Sequence, residues 1–434
     1  MSNTSFVRNE MLPPAPPPVS QTGLVKWLRE NLFAGPLNSA LTVLGLGAAI
    51  WLIQAAAPWL LHSVWVADSQ NECRAIVQER WGPDATGACW AIIRARWHQF
   101  LFGFYPMEEY WRLFVTFAGL LLAILPVLAT SLPRKLLWGS VLYPLVAFWL
   151  LWGGSVWGPI LTLAGFGLWA AVFSALQVRL GVVVAAGVGL IVAAVFWIYG
   201  VDPIETGLQS VLPFALPEVD SDQFGGFLLA LVIGATAIVI SLPLGILLAL
   251  GRQSDMLIVK SLSVGFIEFI RGVPLITLLF TASLLLQYFL PSDTKFDLIL
   301  RVVILVTFFS AAYIAEVIRG GLAALPRGQY EAADALGLDY WQAQRLIIMP
   351  QALKISIPGI VSTFIGLFKD TTLVAFVGLM DPLKGISTAV RADINWKGIY
   401  WEPYIFVAVI FFIFNFSMSR YSMYLERKLK RDHR

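Results

Sequence analysis

Apolar residues recur along this chain in runs of about twenty, separated by shorter polar stretches. A helix that long, rising ~1.5 Å per residue, matches the ~30 Å hydrocarbon core of a bilayer. Ten such runs are predicted as spans: 37–61, 113–131, 136–152, 158–177, 180–199, 224–250, 257–286, 298–320, 353–378 and 403–424. The count falls to eight or nine if the fourth or fifth run is re-entrant. Inside lipid a segment must satisfy its own backbone N–H and C=O groups, so the expected fold is an all-α integral membrane protein of about ten transmembrane helices (8–10).

The polar stretches divide the chain. Residues 1–36 contain "LPPAPPPV" and lack the apolar core and small-residue cleavage site of a signal peptide, so they read as a cytoplasmic N-terminal tail. Residues 37–200 hold five spans and a long loop, 62–112. The stretch 201–223, rich in Pro and acid, reads as a linker. The last five spans occupy 224–424, and a basic tail follows at 425–434.

Basic residues orient these spans. With ten crossings, Arg134 with Lys135, Arg179, Arg252 with Lys260, the polar stretch 327–351 and the basic tail share one side, expected to be cytoplasmic. The stretch 201–223 has no Lys or Arg, as the outer side should. The five arginines of loop 62–112 run against this rule, which long loops follow weakly. Only 13% of residues are charged against 58% hydrophobic, which excludes an ordinary soluble domain, and a net charge of +3 gives no reason to invoke nucleic acid.

Loop 62–112 also carries Cys73 and Cys89. In an oxidising compartment they can form one disulfide; two isolated thiols are the alternative. Without clustered histidines they offer too few ligands for a metal.

One polar stretch is unlike a connector. Residues 327–351, "RGQYEAADALGLDYWQAQRLIIMPQ", lie between two apolar runs, yet they are rich in helix formers. Tyr330, Ala333 and Gly337 share a helical face, at i, i+3 and i+7, which predicts a docking surface. Gly337 is placed to end a short helix in a left-handed conformation, and Asp339 with Gln342 to open a second through a capping box.

This hairpin resembles the EAA loop of bacterial ABC-importer permeases, through Glu331, Ala332, Ala333, Gly337, Ile347 and Pro350, with Met349 in place of the usual leucine. "SLPLGILLALGR", "FIEFIRGVPLITLLF", "YIAEVIRGGLAALPRGQYEAA" and "GLFKDTTL" extend the resemblance over residues 220–424, to the polar amino-acid uptake branch (histidine, glutamine, glutamate). The five leading spans resemble the larger permeases of general and glutamate/glutamine/aspartate/asparagine uptake. The resemblance implies a type I importer core in the last five spans, in a bacterial inner membrane. It implies a second, paralogous permease, two ATP-binding subunits docked on the hairpin, and a periplasmic amino-acid-binding protein. ATP and Mg would be bound by the partner ATPase; this chain has no G-x-x-x-x-G-K-[ST] stretch and no cofactor is expected in it.

Charges inside apolar spans are costly and usually face a bundle interior. Glu268, Arg271, Glu316, Lys369 and Asp370 are such charges, and Thr371 and Thr372 follow as accessory hydrogen-bonding groups. Arg271 and Lys369 are expected near mid-membrane, with Glu316 closer to the cytoplasm. An amino acid needs a cation for its carboxylate and an anion for its ammonium, and these residues supply both. The alternative is that they pair with one another and fix helix register. An ion-coupled secondary transporter is the rival class, but its paired repeats and broken helices are not visible here. A membrane enzyme would need a reactive cluster, and the three histidines lie outside the apolar runs.

Overall fold

The structure, a computed structural model, describes residues 23–129, 132–289 and 296–431. Residues 1–22 of the expected N-terminal tail and 432–434 of the basic tail lie outside the described residues. The chain divides into two compact units, Met1–Arg94 and Ala95–Arg434.

The first unit contains α1 (Gly23–Asn31), α2 (Pro36–Leu61), α3 (Gln70–Trp81) and the start of α4 (Ala91–Phe102). Proline at the first position of α2 suits a turn whose N–H groups have no helical partner. No part of its apolar window is buried among the described residues. Ser69 caps α3 by accepting from the Glu72 N–H. Cys73 and Cys89 are bridged, with Cα atoms 5.9 Å apart. Residue 64 bridges to residue 89, and the Ala88 N–H donates to the Trp59 carbonyl, so the disulfide loop closes onto the end of α2. His62 stacks on Trp81 at 4.6 Å beside it.

The second unit continues with α5 (Tyr110–Leu128), α6 (Leu137–Trp152), α7 (Trp157–Leu180), α8 (Val182–Val195) and α9 (Val201–Val211). A short antiparallel pair, β1 (Gly154–Ser155) with β2 (Ala215–Leu216), ties the outer ends of this group. The expected linker 201–223 is therefore helical in its first half. Pro203 reads as a terminator in the sequence, but it follows a π turn at Phe196–Gly200, and such widened turns accommodate a residue without an N–H.

The remaining helices are α10 (Gly226–Gln253), α11 (Leu257–Gly272), α12 (Leu275–Phe289), α13 (Leu298–Ala323), α14 (Arg327–Ala335), α15 (Tyr340–Ala343), α16 (Met349–Asp370), α17 (Pro382–Ala392) and α18 (Trp401–Arg431). Two apolar clusters set their directions. One joins Leu229 and Ile233 at the start of α10 to Val302 and Val306 at the start of α13 and Leu367 at the end of α16. The other joins Ala249 and Leu250 at the end of α10 to Ile318 and Leu322 at the end of α13 and Met349 and Ala352 at the start of α16. Helices α10 and α13 thus run in the same direction, with α16 opposed, and the chain must cross back between α10 and α13.

That crossing is not the straight span expected over 257–286. Helices α11 and α12 meet at a bend of 102°. Pro274 has no N–H to give, and it forces Val273 into an extended conformation (φ −109°, ψ 133°). With nine helices long and apolar enough to span among the described residues, this bent pair makes a tenth crossing.

The stretch leading into α5 is clamped to the core at its outer end. Residue 103 bridges to residue 224, and residue 225 to residue 380. The Gly226 N–H donates to the Met380 carbonyl. Gly103 has φ +70°, and a Cβ on it would lie 2.4 Å from the Cα of Gly225; one on Gly226 would lie 2.4 Å from the Phe100 carbonyl oxygen. Arg96 pairs with Asp393 alongside, and its guanidinium holds that carboxyl below the usual range. Arg112 is fully buried, 2.8 Å from the Glu109 carboxylate, and donates to the Pro217 carbonyl.

Gly103→Ala should therefore lower the yield and melting temperature of the purified protein, by ~1–3 kcal/mol for a side chain forced against backbone. Gly47→Ala, where a Cβ meets nothing within 4 Å, should leave both unchanged. Thermal unfolding in detergent checks the pair. Asp381 offers a second check, because it caps α17 by accepting from the Leu383 and Lys384 N–H groups. Burial pushes its carboxyl up to about 6 despite those bonds. A raised folded value means a stabilising term present below the unfolded value of 3.8 and lost as pH rises through about 6. The melting-temperature gap between Asp381→Asn and the parent should thus move in the variant's favour as pH rises from 4 to 7. The change with pH carries the test, because asparagine also weakens the cap.

Candidate functional site

The hairpin between α13 and α16 has the predicted local geometry. Gly337 sits at φ +68°. Its N–H donates to the Asp334 carbonyl, and the Leu338 N–H to the Ala333 carbonyl, which is the paired bonding of a Schellman cap. Asp339 and Gln342 close the capping box at 2.8 and 3.1 Å. A π turn, Gln344–Ile348, then feeds the chain into α16.

The face the hairpin offers is not the one read from its sequence. Ala333 is 1% exposed, and Tyr330 packs half-buried against the cluster of Ile318 and Met349. That face turns inward and roots the hairpin on the helix ends. The outward surface carries Glu331, Ala332 and Pro350, with exposed Leu336, Tyr340, Trp341 and Leu346; Ile347 is half-buried. Large apolar side chains standing in water on a polar hairpin mark an interaction surface. Trp341 and Leu346 are legible as apolar positions in the sequence, but a single helical period across the hairpin faces them the wrong way.

The charges of the spans separate into two groups. Glu316 on α13 is gathered by three arginines. Arg319 bonds one of its oxygens, while Arg252 and Arg271 each lie 3.5 Å from the other. Glu268 pairs with Arg252 at 2.7 Å, across to α10 rather than along its own helix to Arg271. Arg271 is therefore level with Glu316, where the sequence predicts two different depths. Eleven residues of α11, roughly 16 Å, separate Leu257 from Glu268. Yet Glu268 still reaches the last turn of α10, because α11 folds back along the helix ends before the bend. The one cue in the sequence that 257–272 is not part of a straight crossing is "GVP" itself.

Asp370 lies apart from that cluster. It lines a half-open cavity of about 250 Å³ between α13 and α16, with Phe309, Ser310, Tyr313, Thr363, Gly366 and Leu367. Among the described residues its carboxylate has no ion-pair partner within bonding distance. The Arg271 guanidinium stands over the ring of Tyr313, 5.6 Å from its centroid, and does not itself line the cavity. Lys369 is exposed and does not line it. Thr371 is fully buried, its hydroxyl donating to the Phe368 carbonyl, the Thr372 hydroxyl donates to that of Lys369, and neither residue lines the cavity.

Residues 241–431 match the family model described as a binding-protein-dependent transport system inner membrane component. The chain is 80% identical to the glutamate/glutamine/aspartate/asparagine transport system permease protein BztC of Rhodobacter capsulatus, over 434 residues and 100% of both chains. The chain belongs to this family. It is also 39% identical to the inner membrane amino-acid ABC transporter permease protein YhdY of Escherichia coli K12, over 96% of each chain. The glutamate/aspartate import permease protein GltK of Escherichia coli O6:H1 is 33% identical, covering 47% of this chain and 91% of its own.

Membership makes the chain a multi-pass inner-membrane permease subunit and not an enzyme, one that works with an ATPase and a substrate-binding protein. None of these relatives supports an ion-coupled transporter. The exposed apolar residues of the hairpin make its outer face a candidate seat for that ATPase. Gly337 has open space where a Cβ would stand, but a backbone that L-residues resist by ~1–2 kcal/mol. Gly337→Asp should leave the protein in the membrane while ATP hydrolysis by the reconstituted complex no longer drives uptake. Trp341→Ala should weaken retention of the ATPase on co-purification. Normal uptake by the first variant and normal retention by the second would show that the hairpin is not the seat.

Proposed function

We propose that this permease, paired with a second, paralogous permease, forms the path of an ATP-driven importer for amino acids of the glutamate, glutamine, aspartate and asparagine class. Two copies of an ATPase bind ATP and Mg and press on the hairpin from below. A periplasmic binding protein delivers substrate from above. The substrate class follows the name of the 80% identical relative.

The observation that carries the reading is the cavity between α13 and α16. A carboxylate without an ion-pair partner among the described residues, Asp370, stands on it, and the Arg271 guanidinium, paired with Glu316, lies over the ring of Tyr313, one of its lining residues. Asp370 suits the substrate ammonium. Arg271 suits a carboxylate, because a planar guanidinium can take one bidentately. The competing role, register-fixing by mutual pairing, is met by Glu268, Arg252, Arg319 and Glu316, a set that Arg271 joins at 3.5 Å from Glu316.

Movement reaches the cavity through the shared cluster. Tyr330 and Ile347 of the hairpin pack with Ile267 of α11 and Ile314 and Ile318 of α13. Ile267 precedes Glu268, and Ile314 follows Tyr313. A shift of the hairpin under ATP therefore displaces the elbow of α11 and one wall of the cavity together.

Proteoliposomes holding the whole complex, with saturating binding protein and ATP, test the site. Arg271→Ala leaves Glu316 two guanidiniums, so assembly should change little, by about 1 kcal/mol or less for a partly exposed pair. Uptake should fall roughly tenfold or more, as expected when charge-assisted bonds of ~1.5–3 kcal/mol are lost, and Arg271→Lys should recover part of it. Asp370→Asn should assemble and lose uptake similarly. Parental uptake by both alanine and asparagine variants would remove this cavity from the path.

A further inference from the structure

The helix preceding the first span has no place in the transport reading. At 100° per residue, Leu24, Val25, Trp27 and Leu28 of α1 fall on one side, and Lys26, Arg29 and Glu30 on the other. Leu24 is 74% exposed, Val25 50% and Trp27 56%. On the opposite side Lys26 and Glu30 lie within ion-pair distance, one turn apart, leaving Arg29 as surplus positive charge.

The geometry of the join to α2 says what covers this face. Only four residues separate α1 from a 26-residue apolar helix of which no part is buried. The Leu32 and Phe33 N–H groups both donate to the Leu28 carbonyl, and the Thr42 hydroxyl of α2 donates to the Leu32 carbonyl at 2.7 Å. The elbow is thus pinned to the second turn of the span. A short amphipathic helix held at the mouth of an apolar span is placed at the boundary between acyl chains and headgroups, and its cations match anionic lipid.

We propose that α1 is an interfacial helix, its Leu24, Val25, Trp27 and Leu28 face immersed in the bilayer surface and Lys26 and Arg29 directed to anionic headgroups. It sets the depth and rotation of α2, whose apolar window no packing within the described residues covers. Tilt and rotation of a span are set by neighbours or by interfacial anchors, and here the anchor is α1.

Site-directed nitroxides at Leu24→Cys, Leu28→Cys and Arg29→Cys test it in the full complex, reconstituted into phosphatidylglycerol/phosphatidylcholine vesicles. The native cysteines are bridged, so each new thiol is the free one in this chain; the other subunits are used in cysteine-free form. Labels at 24 and 28 should favour oxygen over a water-soluble nickel chelate, with the reverse at 29. High nickel access at all three sites overturns the proposal. So does a label at 24 or 28 shielded from both reagents until the ATPase is omitted, since protein would then be the cover. In a Lys26→Glu, Arg29→Glu background, the label at 24 should lose immersion in the anionic vesicles and keep the parental level in pure phosphatidylcholine. Unchanged immersion in the anionic vesicles would overturn the headgroup assignment.

Discussion

A carboxylate within an apolar helix has to be neutralised, and Glu316 is neutralised from three directions. Arg319 comes from its own helix, Arg252 from the end of α10 and Arg271 from the end of α11. Pairing of this kind adds little stability when the groups are partly exposed. What it fixes is arrangement. The last turns of α10, α11 and α13 are held at one level, and the chain is kept from running straight on through residues 257–286. The bend at Pro274 then places Arg271 beside Tyr313.

The same apolar cluster that surrounds Glu316 on α13 also roots the hairpin. Ala333 and Tyr330 face inward, and Leu336, Tyr340, Trp341 and Leu346 are exposed. The hairpin is thereby a rigid extension of the helix ends and not a tether. On the proposed reading, force applied to its exposed face passes into α11 and α13, and the cavity wall moves with them. At the outer end, Gly103, Gly225 and Gly226 approach too closely for side chains, so the segment that leads into α5 is built into the core rather than appended to it.

The sequence was most legible where a local rule acts alone. Twenty-residue apolar runs marked the spans, and the Gly337 cap and the Asp339–Gln342 box were readable because their bonds close within a few residues. It was least legible where distant residues decide. The elbow of α11 depends on Arg252 meeting Glu268, sixteen positions apart, and no periodicity announces that. The inward turn of Ala333 depends on packing against α16, which the hairpin's own pattern cannot reveal. Residues 201–211 misled for a different reason. Pro203 and the polar residues near it resemble a loop, but a π turn in the preceding helix absorbs the proline.

On this reading the Glu316 cluster holds the ends of α10, α11 and α13 together, so that a shift of the hairpin carried by the apolar cluster moves them as one. The direct measurement is uptake per ATP hydrolysed by Glu316→Gln complexes, with the binding protein present and loaded. Glutamine keeps the size and removes the charge that gathers three arginines. ATP hydrolysis should continue, lose its stimulation by loaded binding protein, and yield little transport. Parental uptake at the parental ratio to ATP would contradict the account, because the helix ends would then move together without the charge that is held to join them.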